Sequence, residues 1–137
     1  MLHRERPAVF LPVGTRYVYF ASKYADRLPE GTALMVPSRE GFMAAYVKSA
    51  CIAECRRLGI GCPNEYTREE ALLLLAREPD RTFVVKPDCD IGAARGVRFV
   101  RDAASLCRAA GDCQSEFGRT LIEEYIPGGP EAMKTVV

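Results

Sequence analysis

The sequence lacks tryptophan, has a single histidine, and contains no apolar run close to the roughly 20 residues that a membrane helix needs. Its first residues lack the hydrophobic segment of a signal peptide. The 19 Lys and Arg residues nearly balance the 18 Asp and Glu residues, so the formal net charge is +1 and no strong field attracts nucleic acid or an anionic membrane. We therefore expect a cytoplasmic chain with no nucleic-acid or membrane partner. Its oligomeric state stays open.

The cysteines also lack a metal-binding pattern. Six are present, with no Cys-x-x-Cys pair among them. Cys51 and Cys55 share a helix face at i and i+4, but a metal site needs further ligands and His3 is far away in the sequence. We expect reduced thiols that pack as small buried side chains, and no metal site.

The pattern of apolar residues predicts a mixed α+β fold, and 137 residues with 48% hydrophobic content suit about one domain. One helix is expected from about residue 39 to residue 58, and a second begins after Thr67, with Glu70 as its partner in a capping box. The next elements form a helix behind a small antiparallel sheet. The expected strands are residues 82–86, 97–100 and 120–125, with a helix at 102–110, and two earlier strand-like runs lie at 8–13 and 32–36.

An anion-binding pattern follows the first of the three strands. Lys86 ends an apolar, β-branched run, so its ammonium is expected to leave the core at the mouth of the sheet. Gly92 and Gly96 belong to the next loop, whose backbone N–H groups can approach phosphate oxygens closely because glycine has no Cβ. The lysine and the loop are expected to share one anion.

An acidic segment ends the last strand. Residues 121–131 read Leu-Ile-Glu-Glu-Tyr-Ile-Pro-Gly-Gly-Pro-Glu. Carboxylates repel phosphate but accept hydrogen bonds from an amino group or a ribose hydroxyl, and an extended backbone can bond to the edge of a purine. The lysine, the loop and this segment together predict a site for ATP.

These residues resemble the central part of the ATP-grasp enzymes, the superfamily of biotin carboxylase, D-alanine:D-alanine ligase and the carbamoyl phosphate synthetase large subunit. Upstream, a helix that bears Lys48 leads into Gly-Ile-Gly-Cys-Pro at residues 59–63, which resembles the family's Gly-Ile-x-x-Pro turn. The resemblance runs from about Val36 to the C-terminus. It implies an α/β fold of α+β type, in which residues 1–63 hold the end of a Rossmann-like domain and a linking helix, and residues 64–137 hold the small nucleotide-binding subdomain with its adenine-binding hinge.

The resemblance also implies roles for individual residues. Lys48 and Lys86 resemble the two lysines that hold the phosphates of the nucleotide, and Glu131 resembles the carboxylate that binds the ribose. Alanine narrows the φ range, so the flap over the phosphates should be stiffer here than in glycine-rich relatives. That flap corresponds to Gly92, Ala93, Ala94, Arg95 and Gly96, and the adenine-binding hinge to Glu123, Glu124, Tyr125 and Ile126. No residue is assigned a catalytic role.

The activity implied for the parent protein is an ATP- and Mg²⁺-dependent ligation, similar to that of carbamoyl phosphate synthetase. An unidentified carboxylate would form an acyl phosphate that an amine or thiol then attacks. The family's Mg²⁺ ligands, an acidic residue and a Glu-x-Asn pair, would lie beyond Val137, so the sequence is interpreted as a partial domain that is inactive alone. The alternative is a degenerate or truncated fragment that is non-catalytic and binds nucleotide weakly or not at all.

Each candidate residue also has a purely structural interpretation. Lys86 can be a solvated strand end, Lys48 an exposed helix lysine and Glu131 a surface acid. Arg95 fits a phosphate contact and a solubilising loop residue equally well. A dinucleotide-binding Rossmann domain is disfavoured, because the glycines of the loop do not form Gly-x-Gly-x-x-Gly and precede a strand instead of a helix.

Overall fold

The computed structural model describes residues 2–89, 92 and 94–128. In this part of the chain the helices are α1 (Leu2–Glu5), α2 (Thr15–Lys23), α3 (Arg39–Tyr46), α4 (Lys48–Arg57), α5 (Arg68–Arg77) and α6 (Ala103–Phe117), with a 3₁₀ turn at Ala25–Arg27. The strands are β1 (Val9–Phe10), β2 (Ala33–Leu34), β3 (Phe83–Pro87), β4 (Arg98–Val100) and β5 (Thr120–Glu124). The mixed α+β class expected from the sequence is confirmed.

An antiparallel sheet in the order β4-β3-β5 organises the second half of the chain. Phe83, Val85 and Pro87 of β3 are buried in alternation, as the two-residue period of a strand requires. Helices α5 and α6 pack on this side of the sheet. The resulting core contains Ala71, Leu75, Phe83, Val85, Val100, Leu106, Cys113 and Ile122.

A short extended segment, residues 64–66, lies along the outer edge of β5. The Tyr66 N–H donates to the Ile122 carbonyl at 2.9 Å, and the Glu124 N–H donates to the Asn64 carbonyl at 3.0 Å. Thr67, directly after this segment, begins α5 with the predicted capping box, since Thr67 and Glu70 bond each other's backbone N–H. The backbone and hydroxyl bonds from Thr67 lower the pKa of Glu70 below its ordinary value. The capping box expected from the sequence is therefore confirmed.

The first part of the chain forms a βαβ unit. Val9 pairs with Ala33 in the parallel pair β1–β2, and α2 is the crossover between the two strands. The strands are two residues long each and shorter than the expected runs at 8–13 and 32–36. Helix α2 was not predicted from the sequence. It packs on α3 through Tyr19 and Phe42, whose ring centroids are 5.8 Å apart.

The single helix expected from residue 39 to residue 58 is wrong, because the chain breaks at Val47 into α3 and α4. Val47 is extended, with φ −90° and ψ 113°, and forms an isolated antiparallel bridge with Cys89. The Lys48 N–H donates to the Asp88 carbonyl at 2.7 Å instead of continuing α3. The segment that follows β3 thus supplies the partners that separate the two helices.

Two further expectations need correction. Helix α6 does not end near residue 110 but continues to Phe117, because Cys113 is buried and Phe117 packs against the core, so tertiary packing outweighs the cost of Gly111 in the helix. Cys51 is exposed and only Cys113 among the six thiols is buried.

In the described ranges, no helix has the length and apolar character to cross a membrane.

Candidate functional site

The side of the sheet opposite α6 carries a mixed set of polar and apolar side chains. Val84 and Lys86 of β3 alternate with the buried residues and therefore face this side, which we call the open face. Val84 lies opposite Phe99 of β4 and opposite Glu123 of β5. Phe99 is 63% exposed, and its ring meets Tyr125 edge-on at 5.6 Å. The open face thus places one lysine and one glutamate among apolar side chains.

Lys86 and Glu123 form an ion pair across the open face. The Lys86 Nζ lies 2.6 Å from the Glu123 Oε2, with side-chain exposures of 22% and 3%. Their positions are diagonal in the antiparallel register, since Lys86 is directly opposite Leu121, and long side chains reach each other at this spacing. The structure therefore brings together two residues that the sequence placed in different parts of the predicted site.

The second carboxylate oxygen of Glu123 is buried and unsatisfied. Its Oε1 has no hydrogen-bond partner among residues 2–89, 92 and 94–128. A buried acceptor without a donor costs about 1–3 kcal/mol, and such atoms in a folded protein call for an explanation. One explanation is that a bound ligand donates a hydrogen bond to this oxygen.

The other hinge residues are arranged differently. Glu124 uses its carboxylate within the protein, because its Oε1 accepts from the Asn64 N–H at 2.9 Å and from the Asn64 Nδ2 at 3.1 Å. The Tyr125 N–H donates to the Thr82 carbonyl at 3.3 Å. Ile126 is 58% exposed. Among the four predicted hinge residues, Glu123 is thus the one whose carboxylate lies on the open face.

Lys48 is the first residue of α4 and approaches the end of β3. Its Nζ donates to the Cys89 carbonyl at 2.6 Å. Cys89 follows β3 by two residues and precedes the predicted flap, so both predicted phosphate-binding lysines are anchored to one stretch of chain, residues 86–89. This placement argues against the interpretation of Lys48 as a solvated helix lysine.

The loop between β3 and β4 packs against the end of α6. Gly92, Ala94 and Gly96 have φ values of 77°, 54° and 75°, in the left-handed region that glycine tolerates best. Arg95 donates from its Nη2 to the Glu116 Oε1 at 2.8 Å, and its guanidinium lies 5.7 Å from the centre of the Phe117 ring. In the described structure Arg95 therefore has an acidic partner on α6.

Gly96 is required by packing as well as by its backbone angle. A Cβ at this position would lie 2.6 Å from the Phe117 Cε2 and 2.8 Å from the Pro87 Cγ. We expect Gly96→Ala to lower the free energy of unfolding by about 2–5 kcal/mol, the sum of about 1–3 kcal/mol for overpacking and about 1–2 kcal/mol for left-handed strain. Urea unfolding followed by circular dichroism measures the loss.

Gly59→Ala is the matched control for this substitution. Gly59 has a similar φ of +70°, but an added Cβ would meet nothing within 4 Å. It therefore reports the backbone strain alone, about 1–2 kcal/mol. Equal losses in the two variants would contradict the packing role of Gly96.

Two predicted site residues, Ala93 and Glu131, lie outside the described residues. Within the described ranges, no group of three or more His, Cys, Asp or Glu side chains converges to hold a metal ion.

A cavity of about 620 Å³ borders the β3–β4 loop but contacts neither Lys86 nor Glu123. It is lined by Thr15, Arg16, Tyr19, Phe20, Tyr46, Gly92, Arg95 and Phe117.

Sequence reasoning missed Asp88 and Asn64. Asp88 is 2% exposed and accepts a hydrogen bond from the start of α4. Its position directly after a buried strand is the sequence signal that could have indicated a structural role. Asn64 holds Glu124 across 60 positions of sequence, and no local pattern announces such a contact. Both residues orient parts of the site without lying in the motifs themselves.

No protein-family model and no curated protein matches the chain. Solved structures do match it. D-alanine-D-alanine ligase from Helicobacter pylori is 24% identical, with a TM-score of 0.60 over 81% of this chain and 32% of that enzyme. The biotin carboxylase domain of the Hydrogenobacter thermophilus 2-oxoglutarate carboxylase, solved with MgADP, ADP and bicarbonate, is 21% identical, with a TM-score of 0.69 over 90% of this chain and 29% of that one.

Both structures are ATP-grasp enzymes, and the chain spans only 32% and 29% of their lengths. Identities of 24% and 21% establish a shared fold and leave activity and substrate to be tested. The resemblance seen in the sequence is confirmed at this level: over the part that it covers, the chain has the ATP-grasp fold.

Proposed function

We propose that the open face of the sheet binds ATP. The observation that carries the proposal is the Lys86–Glu123 ion pair, in which Glu123 is buried and its Oε1 lacks a partner among the described residues. A ligand that donates a hydrogen bond to this oxygen gives it the missing partner and gains affinity. Because Oε1 has almost no exposed surface, the side chains that cover it must move aside when the ligand enters. The 6-amino group of adenine is such a donor, whereas the 6-oxo group of guanine is an acceptor and would face a carboxylate.

The surroundings of Glu123 suit a planar purine. Val84, Phe99 and Tyr125 share the open face with it, and both aromatic rings are more than a third exposed, at 63% and 38%. Aromatic and aliphatic side chains stabilise a base by stacking and burial, while a few polar groups fix its orientation. The open face provides both kinds of contact.

The phosphates would lie toward residues 86–89, where the two lysines meet the chain. Each ammonium has three N–H donors, and the described contacts of Lys48 and Lys86 use one donor each, to the Cys89 carbonyl and to Glu123. The donors that these described contacts do not use would bond phosphate oxygens. Backbone N–H groups of the β3–β4 loop would add to them, as left-handed and glycine-rich loops do in other anion sites. The N–H groups of Arg95 and Val97 are excluded, because they donate to the Gly92 and Ala94 carbonyls within the loop.

Further assignments extend the same proposal. The backbone of Glu124, Tyr125 and Ile126 would bond the purine edge, and Glu131 would bond the ribose. Residues 64–137 would form the nucleotide-binding subdomain, and residues 1–63 the end of a Rossmann-like domain, which the parallel β1–α2–β2 unit supports. Mg²⁺ would be held by ligands outside this chain.

The parent protein would be a carboxylate ligase that works through an acyl phosphate, in the manner of carbamoyl phosphate synthetase, in the cytoplasm. Its 2-oxoglutarate carboxylase neighbour, solved with MgADP and bicarbonate, supports nucleotide and Mg²⁺ use. The contribution of this chain would be to position the nucleotide and neutralise its charge. The carboxylate substrate stays unidentified.

Calorimetric titration with ATP, with and without Mg²⁺, tests the nucleotide site. The wild-type chain is expected to bind ATP in a saturable manner. The double variant Lys86→Met, Glu123→Leu should bind at least about tenfold more weakly, because it lacks two charge-assisted contacts but keeps apolar volume at both positions. No saturable binding by the wild type, or equal binding by both proteins, would refute the ATP site.

A non-catalytic nucleotide-binding module is the second candidate. It is favoured by the described pairing of Arg95 with Glu116, which holds the would-be flap arginine on α6. A module of this kind would bind ATP without releasing ADP or phosphate in the presence of Mg²⁺ and carboxylates. A coupled assay for ADP release distinguishes it from an active ligase.

A further inference from the structure

Asp88 is a buried carboxylate whose every polar group has a partner. Its Oδ1 accepts from the Ser49 N–H at 2.8 Å and its Oδ2 accepts from the Ser49 Oγ at 2.8 Å, and Oδ2 also forms an ion pair with the Arg119 Nε at 3.1 Å. Its carbonyl accepts from the Lys48 N–H at 2.7 Å, and its own N–H donates to the Arg119 carbonyl at 3.0 Å. It thereby joins the starts of α4 and β5 to the end of β3.

These bonds supply what α4 lacks at its own N-terminus. The residue before the helix, Val47, has no side-chain acceptor for the first N–H groups. Asp88 provides a carbonyl and a carboxylate from 40 residues away and does the work of a cap. The position and direction of the first turn of α4 therefore depend on the segment after β3.

The hydrogen bonds of Asp88 determine where Lys48 lies relative to Lys86. Lys48 is the first residue of α4, and its Nζ bonds to the carbonyl of Cys89, the residue next to Asp88. Lys86 leaves the same strand two residues before Asp88. A shift of the α4 start would move the Lys48 ammonium away from this strand end while Lys86 stays in place.

We infer that Asp88 is a positioning residue of the nucleotide site, which fixes the Lys48 ammonium beside Lys86 for a shared phosphate group. This inference rests on the proposed ATP site. Each polar atom of Asp88 has a partner in the described structure and the residue is 2% exposed, so it acts through Lys48 and contacts no ligand. Loss of its carboxylate should therefore weaken ATP binding through Lys48 alone.

The molecule contains a matched control for a cap that only stabilises a helix. Asp102 caps α6 with the same pattern, since its Oδ1 accepts from the Ser105 N–H at 2.8 Å and its Oδ2 from the Ser105 Oγ at 2.7 Å. Helix α6 packs behind the sheet and carries none of the predicted site residues. Asp102→Ala removes a cap with the same two side-chain hydrogen bonds, at an exposed helix start, without touching the candidate site.

ATP affinity measured by calorimetry in a double-mutant cycle tests the inference. Asp88→Ala is expected to weaken ATP binding about tenfold, the size of one lost charge-assisted contact, and Asp102→Ala to change it less than about twofold. In a Lys48→Met background, Asp88→Ala should cause no further loss. Hydrogen exchange at the Ser49 amide, which loses its carboxylate partner, should rise in Asp88→Ala and stay unchanged in Asp102→Ala.

Asp88→Asn keeps an acceptor for the Ser49 N–H and should restore most of the affinity. If Asp88→Ala does not fold, Asp88→Ser replaces it in the cycle, because its shorter side chain cannot hold both the Ser49 N–H and the Ser49 Oγ, and Asp102→Ser is then the control. Equal effects of Asp88→Ala and Asp102→Ala, or additive effects of Asp88→Ala and Lys48→Met, would overturn the positioning role. A wild-type chain that binds no ATP overturns the proposed function first, and with it any role of Asp88 in binding.

Discussion

The wild-type chain is expected to bind ATP more tightly than ITP, and replacing Glu123 with glutamine is expected to reverse this preference. The two nucleotides differ in the group at position 6 of the purine, which is amino in ATP and oxo in ITP. Glutamine keeps the size of glutamate but can place an NH₂ donor where the unsatisfied Oε1 now lies, while its oxygen accepts from Lys86. The position then repels the 6-amino group and bonds the 6-oxo group.

The size of the change follows from the cost of unpaired buried polar groups. Each mismatch at this position costs about 1–3 kcal/mol, so the wild type should favour ATP and Glu123→Gln should favour ITP, with the affinity ratio changing by about two orders of magnitude. Competition titrations with ATP and ITP, in the same buffer and at the same Mg²⁺ concentration, give this ratio.

Glu65→Gln is the control for the loss of a carboxylate nearby. Glu65 forms an antiparallel bridge with Glu123, but its own carboxylate pairs with Arg56 at 3.0 Å at the surface. The ratio of ATP to ITP affinity should stay unchanged in this variant. A Glu123→Gln protein that keeps the wild-type ratio would show that the 6-position of the purine lies elsewhere.

The second half of the fold could be predicted from local patterns. The alternation in β3, the capping box at Thr67 and the glycine after β3 each depend on residues within a few positions of one another. The structure places three antiparallel strands and α6 close to the expected positions. Where each element ended was less predictable, since α6 runs on to Phe117 through contacts with the core.

The break at Val47 could not be predicted in this way. Residues 39–57 have a continuous helical pattern, and the helix divides because the chain after β3 offers better partners to the Lys48 and Ser49 N–H groups. These partners are about 40 positions away in the sequence. A single-sequence pattern contains no information about a competitor at that distance.

The candidate site shows the same division. Lys86 and Glu123 were each proposed from their place at a strand end, and the register of β3 and β5 makes them neighbours. Their direct ion pair was not anticipated, because each was assigned to a different part of the nucleotide. It follows from the diagonal positions of the two residues, which depend on a register that only the folded sheet defines.

Lys86→Ala is expected to destabilise the protein strongly even without nucleotide. The substitution leaves the Glu123 carboxylate, 3% exposed, without its described cationic partner. Removing one member of a buried ion pair costs about 3–5 kcal/mol, and the 22% exposure of Lys86 places the expected loss near the lower end. Urea unfolding of the ligand-free chain measures it.

The double variant Lys86→Ala, Glu123→Gln tests the cause of this loss. Glutamine at position 123 removes the buried charge that Lys86→Ala leaves unpaired. The double variant should therefore be more stable than Lys86→Ala alone, although it carries one substitution more. Arg57→Ala is the surface control, since it removes the basic partner of Glu54 in an exposed pair and should have little effect. If Lys86→Ala were as mild as Arg57→Ala, Glu123 would have to find water or another partner in solution, and its unsatisfied oxygen would no longer argue for a ligand.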